Sequence, residues 1–345
     1  MLTVLHVAYP LAPVSLDATG GAEQIMALLD RALVARGHRS IAIACAGSST
    51  AGVLLPVPVG DSFDEEGKVR AHVAFASQIA AALDRWNVDL VHMHGIDFCE
   101  YLPPYGVPVL ATLHLPISYY PDEVFRIARP GTYLNCVSKA QHRTCPPCSN
   151  LVDPIENGVP LDLFPEEHLG KDGYTLALGR ICPEKGFHLA LEAAQQAVVP
   201  LWIAGMTFPY AEHERYFREE LLPRLSPPHR FLGPAGFADK VRLLSRARCL
   251  LVPSLVPETS SLVAMEALSC GTPVVCFPAG ALADVVDHGR TGFLVKDANA
   301  MAAAILRCEE IDSSECRREA GVRFSAERMA DQYVDLYERL ATTRS

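Results

Sequence analysis

The chain has 345 residues, half of them hydrophobic and a fifth charged, with a formal net charge of −10. That is long for one core, ample for two α/β domains, and ordinary for a globular protein. The acidity argues against a nucleic-acid partner, which needs clustered Lys and Arg, and no apolar run approaches the roughly 20 residues of a membrane span.

The first apolar run, Leu2–Ala8, is short, lacks a charged segment before it and stops ahead of Pro10. It reads as a buried strand, not a secretory signal. A cytoplasmic setting is therefore expected, with the 11 cysteines as thiols. Cys145 and Cys148, in Cys-Pro-Pro-Cys, have metal or redox spacing, but no second pair follows and the bland reading is two loop thiols.

After the first strand comes the turn Gly20-Gly21-Ala22-Glu23, then a predicted helix over Ala22–Arg36 closed by Gly37. Strand Ser40–Cys45, helix Ala71–Arg85, and strands Asp89–His94, Val107–His114 and Tyr133–Val137 follow. The alternation restarts with strand Thr175–Leu178, helix Phe187–Ala197, and strands Leu201–Ala204 and Arg230–Leu232. Helix Ala238–Ser245, strand Cys249–Pro253, helix Leu262–Ser269 and strand Pro273–Phe277 come next, and a helix over Ala326–Leu340 closes the chain. Continuous apolar strands separated by helices imply parallel sheets covered on both faces. The fold class is α/β, with two Rossmann-like doubly wound domains, 1–168 and 169–325, followed by the helical segment 326–345. The boundary is expected near Pro165–Asp172, which is polar and holds Pro and Gly. Open parallel sheets bind ligands at the carboxyl ends of their strands, so two such domains facing one another would form an inter-domain cleft that excludes water.

Three turns carry chemistry. Pro257-Glu258-Thr-Ser-Ser-Leu-Val-Ala-Met-Glu266 follows a strand and opens a helix, presenting the N–H groups of Ser260, Ser261 and Leu262 to an anion, with a diphosphate the obvious candidate. Glu266 lies on a helix apolar on nearly every side. Either ribose hydroxyls or backbone N–H groups or an Arg must satisfy it. Leu178-Gly179-Arg180-Ile-Cys-Pro-Glu184-Lys185-Gly186 also joins a strand to a helix. Gly179 permits close approach, and Arg180 and Lys185 place two cations where a departing diphosphate could be held; a salt bridge from Glu184 to a nearby base is the plainer alternative. The turn at Gly20-Gly21 lets a ligand approach the backbone but lacks a P-loop lysine. His94 and His114 end strands and suit a hydrogen bond to a sugar hydroxyl, with a satisfied strand-end histidine the plainer reading of His94. His92 reads as structural, and no third ligand at recognisable spacing makes a metal site.

Taken in order, these segments resemble the retaining family 4 glycosyltransferases across nearly the whole chain. Asn157-Gly158-Val159, Phe231-Leu232-Gly233, Gly271-Thr-Pro-Val and Gly289-Arg-Thr-Gly-Phe-Leu-Val also have counterparts there. The resemblance implies the GT-B fold, a nucleotide diphosphate sugar as donor, and transfer to a hydroxyl with retention at the anomeric carbon. It implies no cofactor and no required metal, and no Asp-x-Asp motif is apparent. Arg180 and Lys185 would contact the diphosphate, Glu258 the donor sugar and Glu266 the ribose. Backbone around Ser261 and Leu262 would hold phosphate and sugar, Gly21 would face the phosphate, and His114 would approach the sugar near the reacting carbon. The final helix resembles the one that crosses back onto the N-terminal domain. One departure stands out: Ser260 and Ser261 occupy positions where the family usually has an aromatic residue and Gly.

A sugar-nucleotide-binding protein without turnover, and an epimerase or phosphorylase, share this architecture. Glu258, Glu266, Arg180 and Lys185 together favour the transferase. The acceptor, a small molecule, a saccharide or a lipid-linked compound, is expected on the N-terminal domain. There Leu115–Phe125, with Tyr119 and Tyr120, either lines the pocket or packs as an ordinary loop.

Overall fold

The computed structural model describes residues 1–58, 64–165 and 170–342. Contacts divide the chain into two units, Met1–Asn157 with Ala326–Ser345, and Gly158–Ser325. The first unit holds strands β1 (Thr3–Val7), β2 (Arg39–Cys45), β3 (Val53–Val57), β4 (Leu90–Met93), β5 (Val109–Leu113) and β6 (Thr132–Cys136). They form one sheet of order β3-β2-β1-β4-β5-β6, parallel at every pairing. Helices α1 (Gly21–Ala35), α2 (Glu65–Arg85) and α3 (Lys139–His142) belong to this unit. Strands β1, β4 and β5 are buried along their whole length, which is why each reads as a mainly apolar run, interrupted by Thr3 and His6, by His92 and by Thr112.

The second unit repeats the plan. Its strands are β7 (Thr175–Leu178), β8 (Leu201–Ala204), β9 (Arg230–Gly233), β10 (Cys249–Val252), β11 (Val274–Cys276) and β12 (Gly292–Leu294). Their order is β12-β11-β10-β7-β8-β9, again all parallel. Helices α4 (Phe187–Ala197), α5 (Ala211–Tyr216), α6 (Phe237–Arg246), α7 (Leu262–Ser269), α8 (Leu282–Val285), α9 (Ala298–Arg307) and α10 (Ser313–Arg323) accompany them. In each sheet the strand order reverses once, between β1 and β4 and between β7 and β10. At such a switch point the connections leave in opposite directions and open a crevice beyond the carboxyl ends of the strands.

Helix α11 (Ala326–Ala341) closes the chain on the first unit. Its buried stripe of Met329, Tyr333, Leu336, Tyr337 and Leu340 has helical spacing, and Arg36 of α1 pairs with its Asp331 at 2.6 Å. The expected domain junction at 168/169 lies outside the described residues. The division of contacts falls about ten residues earlier, at Asn157/Gly158. The cause is packing: the Val159 N–H donates to Phe324 O at 2.7 Å, and Phe164 stacks obliquely on Phe237, so both residues join the second core. Among the described residues no helix is long and apolar enough to cross a membrane.

Several elements were not expected. Strand β3 is a half-exposed edge strand carrying Pro56, a residue tolerated only where one side of the ladder is open. Strand β12 has three residues. Helix α2 begins at Glu65, six residues before its apolar face, on an Asp64 cap that accepts from the Gly67 N–H at 2.7 Å.

Candidate active site

In the second unit the turns leaving β7 and β10 meet because those strands are neighbours across the switch point. The Leu255 N–H of one turn donates to Glu184 O of the other at 2.7 Å. Lys185 then reaches Glu258, Nζ to Oε1 at 2.6 Å, with both side chains mostly buried. The Ser254 hydroxyl donates to the same carboxylate oxygen. Glu258 is itself fixed by main-chain bonds on both sides: its N–H to Ala279 O at 3.3 Å, and the Ala281 N–H to its carbonyl at 2.8 Å. Arg180 stands exposed on the same turn as Lys185.

Gly186 is what lets the two turns touch. It adopts φ +62°, and a Cβ there would lie 2.3 Å from Pro253 O. Gly186→Ala is therefore expected to destabilise the second unit by about 2–3 kcal/mol, combining left-handed strain with a backbone clash. Gly289→Ala, at φ +80° in open space, should cost about 1 kcal/mol. Equal losses in denaturant titrations would refute the clash.

The turn after Glu258 runs into α7, whose first intrahelical bonds go from the Ala264 and Met265 N–H groups to Ser261 O, each 3.1 Å. The N–H groups of Leu262 and Val263 precede those bonds and are the positive end of the helix. Ser261 is buried, and the Ser260 hydroxyl is buried with no hydrogen-bond partner among the described residues. One turn further on, Glu266 is 3 % exposed and bonded to Lys240 of α6, Oε1 to Nζ at 2.5 Å. Burial pushes its carboxyl above the ordinary range, against the pull of the Lys240 ammonium. The protein's own partner for this carboxylate is thus a lysine, and not the backbone or an Arg.

The first unit gathers histidines at its switch point. His6 of β1 and His92 of β4 are register partners, and His94 lies two residues on along the same face. His92 is structural: its Nδ1 lies 2.7 Å from the Tyr337 hydroxyl and its Nε2 2.6 Å from the Thr112 hydroxyl. The other three form a chain, His114 Nε2 to His94 Nδ1 at 3.1 Å and His94 Nε2 to His6 Nδ1 at 3.2 Å. His94 is therefore a satisfied strand-end histidine, bonded through both ring nitrogens. Burial lowers the pKa of all four, His6 to about 4 and His114 to about 3, so they are neutral at physiological pH. Neutral rings in a chain must each donate once and accept once. The third histidine that spacing failed to supply comes from β1, and ring nitrogens of His6, His92 and His94 lie within 4.8 Å of one another. Their hydrogen bonds to each other, Tyr337 and Thr112 already account for most of those nitrogens.

Gly21 opens α1 and is exposed, whereas Gly20 is covered by the buried Glu23 carboxylate, whose pKa burial raises. Ligand approach at this turn is therefore left to Gly21. Tyr120 packs as a core residue, accepting the Leu115 N–H at 3.2 Å, and Tyr119 alone is exposed. Cys145 lies between Cys148 and the buried Cys136 of β6. A hydrogen bond from Cys136 lowers the Cys145 pKa, so this is a group of three thiols and not two loop residues.

Two family models match the chain: Glycosyltransferase Family 4 over residues 19–147 and Glycosyl transferases group 1 over residues 173–310. The chain belongs to the family 4 glycosyltransferases. A D-inositol 3-phosphate glycosyltransferase of Saccharomonospora viridis is 40 % identical over 123 residues, which are 33 % of this chain and only 28 % of that protein. The phosphatidyl-myo-inositol mannosyltransferase of Mycobacterium leprae is 26 % identical across 97 % of both chains. Among solved structures, AviGT4, a glycosyltransferase involved in avilamycin A biosynthesis, superposes with a TM-score of 0.76 at 23 % identity over 99 % of both chains. The sucrose-phosphate synthase of Thermosynechococcus elongatus gives 0.79 at 21 %, also over 99 % of both. These likenesses establish the GT-B fold.

For a family 4 chain, the structure joins Lys185, Glu258 and the start of α7 into one cluster and puts Arg180 and Gly179 on its rim. Glu266 sits deeper, held by Lys240. Three residues were missed. Lys240 had a signal, a lysine on an apolar helix face three and four residues before Leu243 and Leu244. Ser254 had none, since no motif marks a serine four residues before the glutamate it bonds, and His6 had none, since a histidine within a strand is brought to its partners only by strand order.

Proposed function

We propose that this chain transfers a hexosyl-type sugar from a nucleotide diphosphate sugar to an acceptor hydroxyl, with retention at the anomeric carbon and no required metal ion, in the cytoplasm. The observation that carries the reading is the Lys185–Glu258 contact at 2.6 Å, made where the two switch-point turns meet beside the α7 N-terminus. Lys185 is a cation held in place by a carboxylate, ready to take an anion. Arg180, Lys185 and the α7 N–H groups can together neutralise a diphosphate as the sugar–oxygen bond breaks. The acceptor oxygen bonds to the anomeric carbon on the face the leaving group vacates, and its proton goes to a leaving phosphate oxygen. Glu258, once Lys185 turns to phosphate, is left to hold the sugar, and Glu266 the ribose. The buried Ser260 hydroxyl, which costs about 1–3 kcal/mol while unpaired, gains a partner from a phosphate or sugar oxygen. The neutral ring of His114 suits a hydrogen bond to a sugar hydroxyl.

The relatives named for inositol 3-phosphate and phosphatidyl-myo-inositol direct the acceptor screen to polyols, free and lipid-linked, alongside saccharides. The test starts with calorimetric titration by UDP, GDP, ADP and dTDP, with and without EDTA. Lys185→Ala should weaken the tight diphosphate by roughly ten- to a hundredfold, the worth of a charge-assisted contact, and leave the nucleoside almost unaffected. Glu258→Gln, which frees Lys185, should keep diphosphate affinity while lowering turnover. Equal loss of nucleoside and diphosphate in Lys185→Ala would remove the phosphate assignment, and unchanged turnover in Glu258→Gln would remove the sugar assignment.

A further inference from the structure

The turn that carries Arg180 and Lys185 also carries a second set of functional groups. Cys182 and Glu184 flank Pro183, and α5 brings His213 to them. One ligand atom from each, a sulfur, a carboxylate oxygen and an imidazole nitrogen, all lie within 4.8 Å of one another. Two polar atoms of these residues are buried without a hydrogen-bond partner among the described residues, Glu184 Oε2 and His213 Nδ1. Leaving either one so costs about 1–3 kcal/mol, and both belong to the same small cluster. Among the described residues Glu184 makes no salt bridge, and the neighbouring lysine, Lys185, goes to Glu258.

The groups are held in place. The Lys185 and Gly186 N–H groups close the turn onto Cys182 O and Pro183 O at 3.2 and 3.0 Å. The Ile181 N–H bonds to Met206 O at 3.0 Å and the Leu255 N–H to Glu184 O at 2.7 Å. Helix α5 is anchored by Tyr216, whose hydroxyl accepts the His188 N–H at 3.1 Å. The Cys182 thiol bonds to Arg180 O at 3.7 Å and to the Glu184 carboxylate, and burial, with that carboxylate beside it, pushes it up to about 11. Burial acts to raise the Glu184 carboxyl, but bonds from its own N–H and from Cys182 outweigh it and keep the group ionised.

We infer that Cys182, Glu184 and His213 form a binding site for one zinc-class divalent cation, with the fourth position open to water. Thiolate with imidazole selects zinc over magnesium or calcium, and three protein ligands are enough for a tetrahedral centre. Ligand atoms about a zinc ion stand roughly 3.3–3.8 Å apart at ordinary bond lengths, so no pair in the cluster has more than about 1.5 Å to close on loading. The Cys182 thiol gives its proton to solvent, and the sulfur, the carboxylate and the dication then sum to zero charge in a buried place. The ion satisfies both orphaned atoms and ties α5 to the turn. It takes no part in the transfer proposed above and shares no residue with Lys185, Glu258 or Glu266, so the two readings fail independently.

Cobalt(II) is the probe, because a thiolate ligand gives a near-ultraviolet charge-transfer band and a four-coordinate site gives intense visible d–d bands. The measurement uses the full chain carrying Cys145→Ser and Cys148→Ser, which removes the competing thiol group. One equivalent of cobalt should produce both bands, and zinc should displace it. Cys182→Ser, added to that background and checked by circular dichroism, should abolish the charge-transfer band. His213→Gln, on a short half-exposed helix, should weaken cobalt binding by at least about tenfold and change the d–d bands without disturbing the turn. No charge-transfer band in the Cys145/Cys148 variant, or a band that survives Cys182→Ser, overturns the site. So does cobalt binding indifferent to His213→Gln.

Discussion

Lys240→Met is expected to destabilise the second unit by roughly 3–5 kcal/mol, the loss seen when one partner of a buried ion pair is removed. Lys240 and Glu266 are both nearly inaccessible, and their contact of 2.5 Å is made inside the layer between α6 and α7. The lysine also lies 5.0 Å from the centre of the Phe237 ring. Without it, the carboxylate loses the group that opposes its desolvation, and must either protonate or draw water into the core. The chain has two tryptophans, Trp86 in the first unit and Trp202 in β8 stacked on Tyr174 at 3.9 Å. A Trp86→Phe background therefore makes fluorescence report on the second unit alone. Replacing both partners, as Lys240→Met with Glu266→Met, should restore most of the stability, because the loss comes from the stranded charge and not from the absent bond. If ribose also depends on Glu266, the restored double variant will still bind nucleoside poorly. A cost below about 1 kcal/mol for Lys240→Met would mean that the carboxylate is satisfied elsewhere.

Much of this arrangement is written in the sequence at short range. The strand-to-helix turns at Gly179–Gly186 and Glu258–Leu262 are local, because glycine, proline and the onset of apolar periodicity mark them. Their convergence is not local. Lys185 and Glu258 are 73 residues apart, and they meet only because the order reverses between β7 and β10. Pair identity was hidden for the same reason: a buried glutamate demands a partner, but nothing near Glu266 says that it is a lysine on the preceding helix. The histidines show the boundary well. Period-two spacing puts His92 with His94, and Thr112 with His114, on one face each, yet His6 joins them only through the β1–β4 register. The division of contacts at Asn157/Gly158 follows packing, since Val159 and Phe164 join the second core, whereas Pro and Gly in the sequence signal only an exposed linker.

Acid should unfold the first unit well before the carboxylates of an ordinary domain would. Four imidazoles, His6, His92, His94 and His114, have pKa values lowered by burial, and each is held neutral by its surroundings. The unfolded chain protonates them near 6.5, while folded His6 waits until about 4 and His114 until about 3. Between those limits the unfolded state binds more protons, so stability falls as pH falls; it is fully present above 6.5 and lost through the folded values. At about pH 5 each neutral histidine costs roughly 2 kcal/mol relative to neutral pH, and the four together several kcal/mol. Asp30, whose charge raises His6 slightly, moderates the effect without reversing it. Glu266 in the second unit has the opposite sign, since its raised pKa means that protonation relieves a buried charge. The two units are therefore expected to separate in acid, Trp86 fluorescence changing at a higher pH than that of Trp202. His6→Asn should make the first transition shallower by one proton's worth of slope. Coincident transitions, or a slope indifferent to His6→Asn, would mean that the histidine chain takes up protons while folded, and that His114 is not a neutral hydrogen-bonding group at working pH.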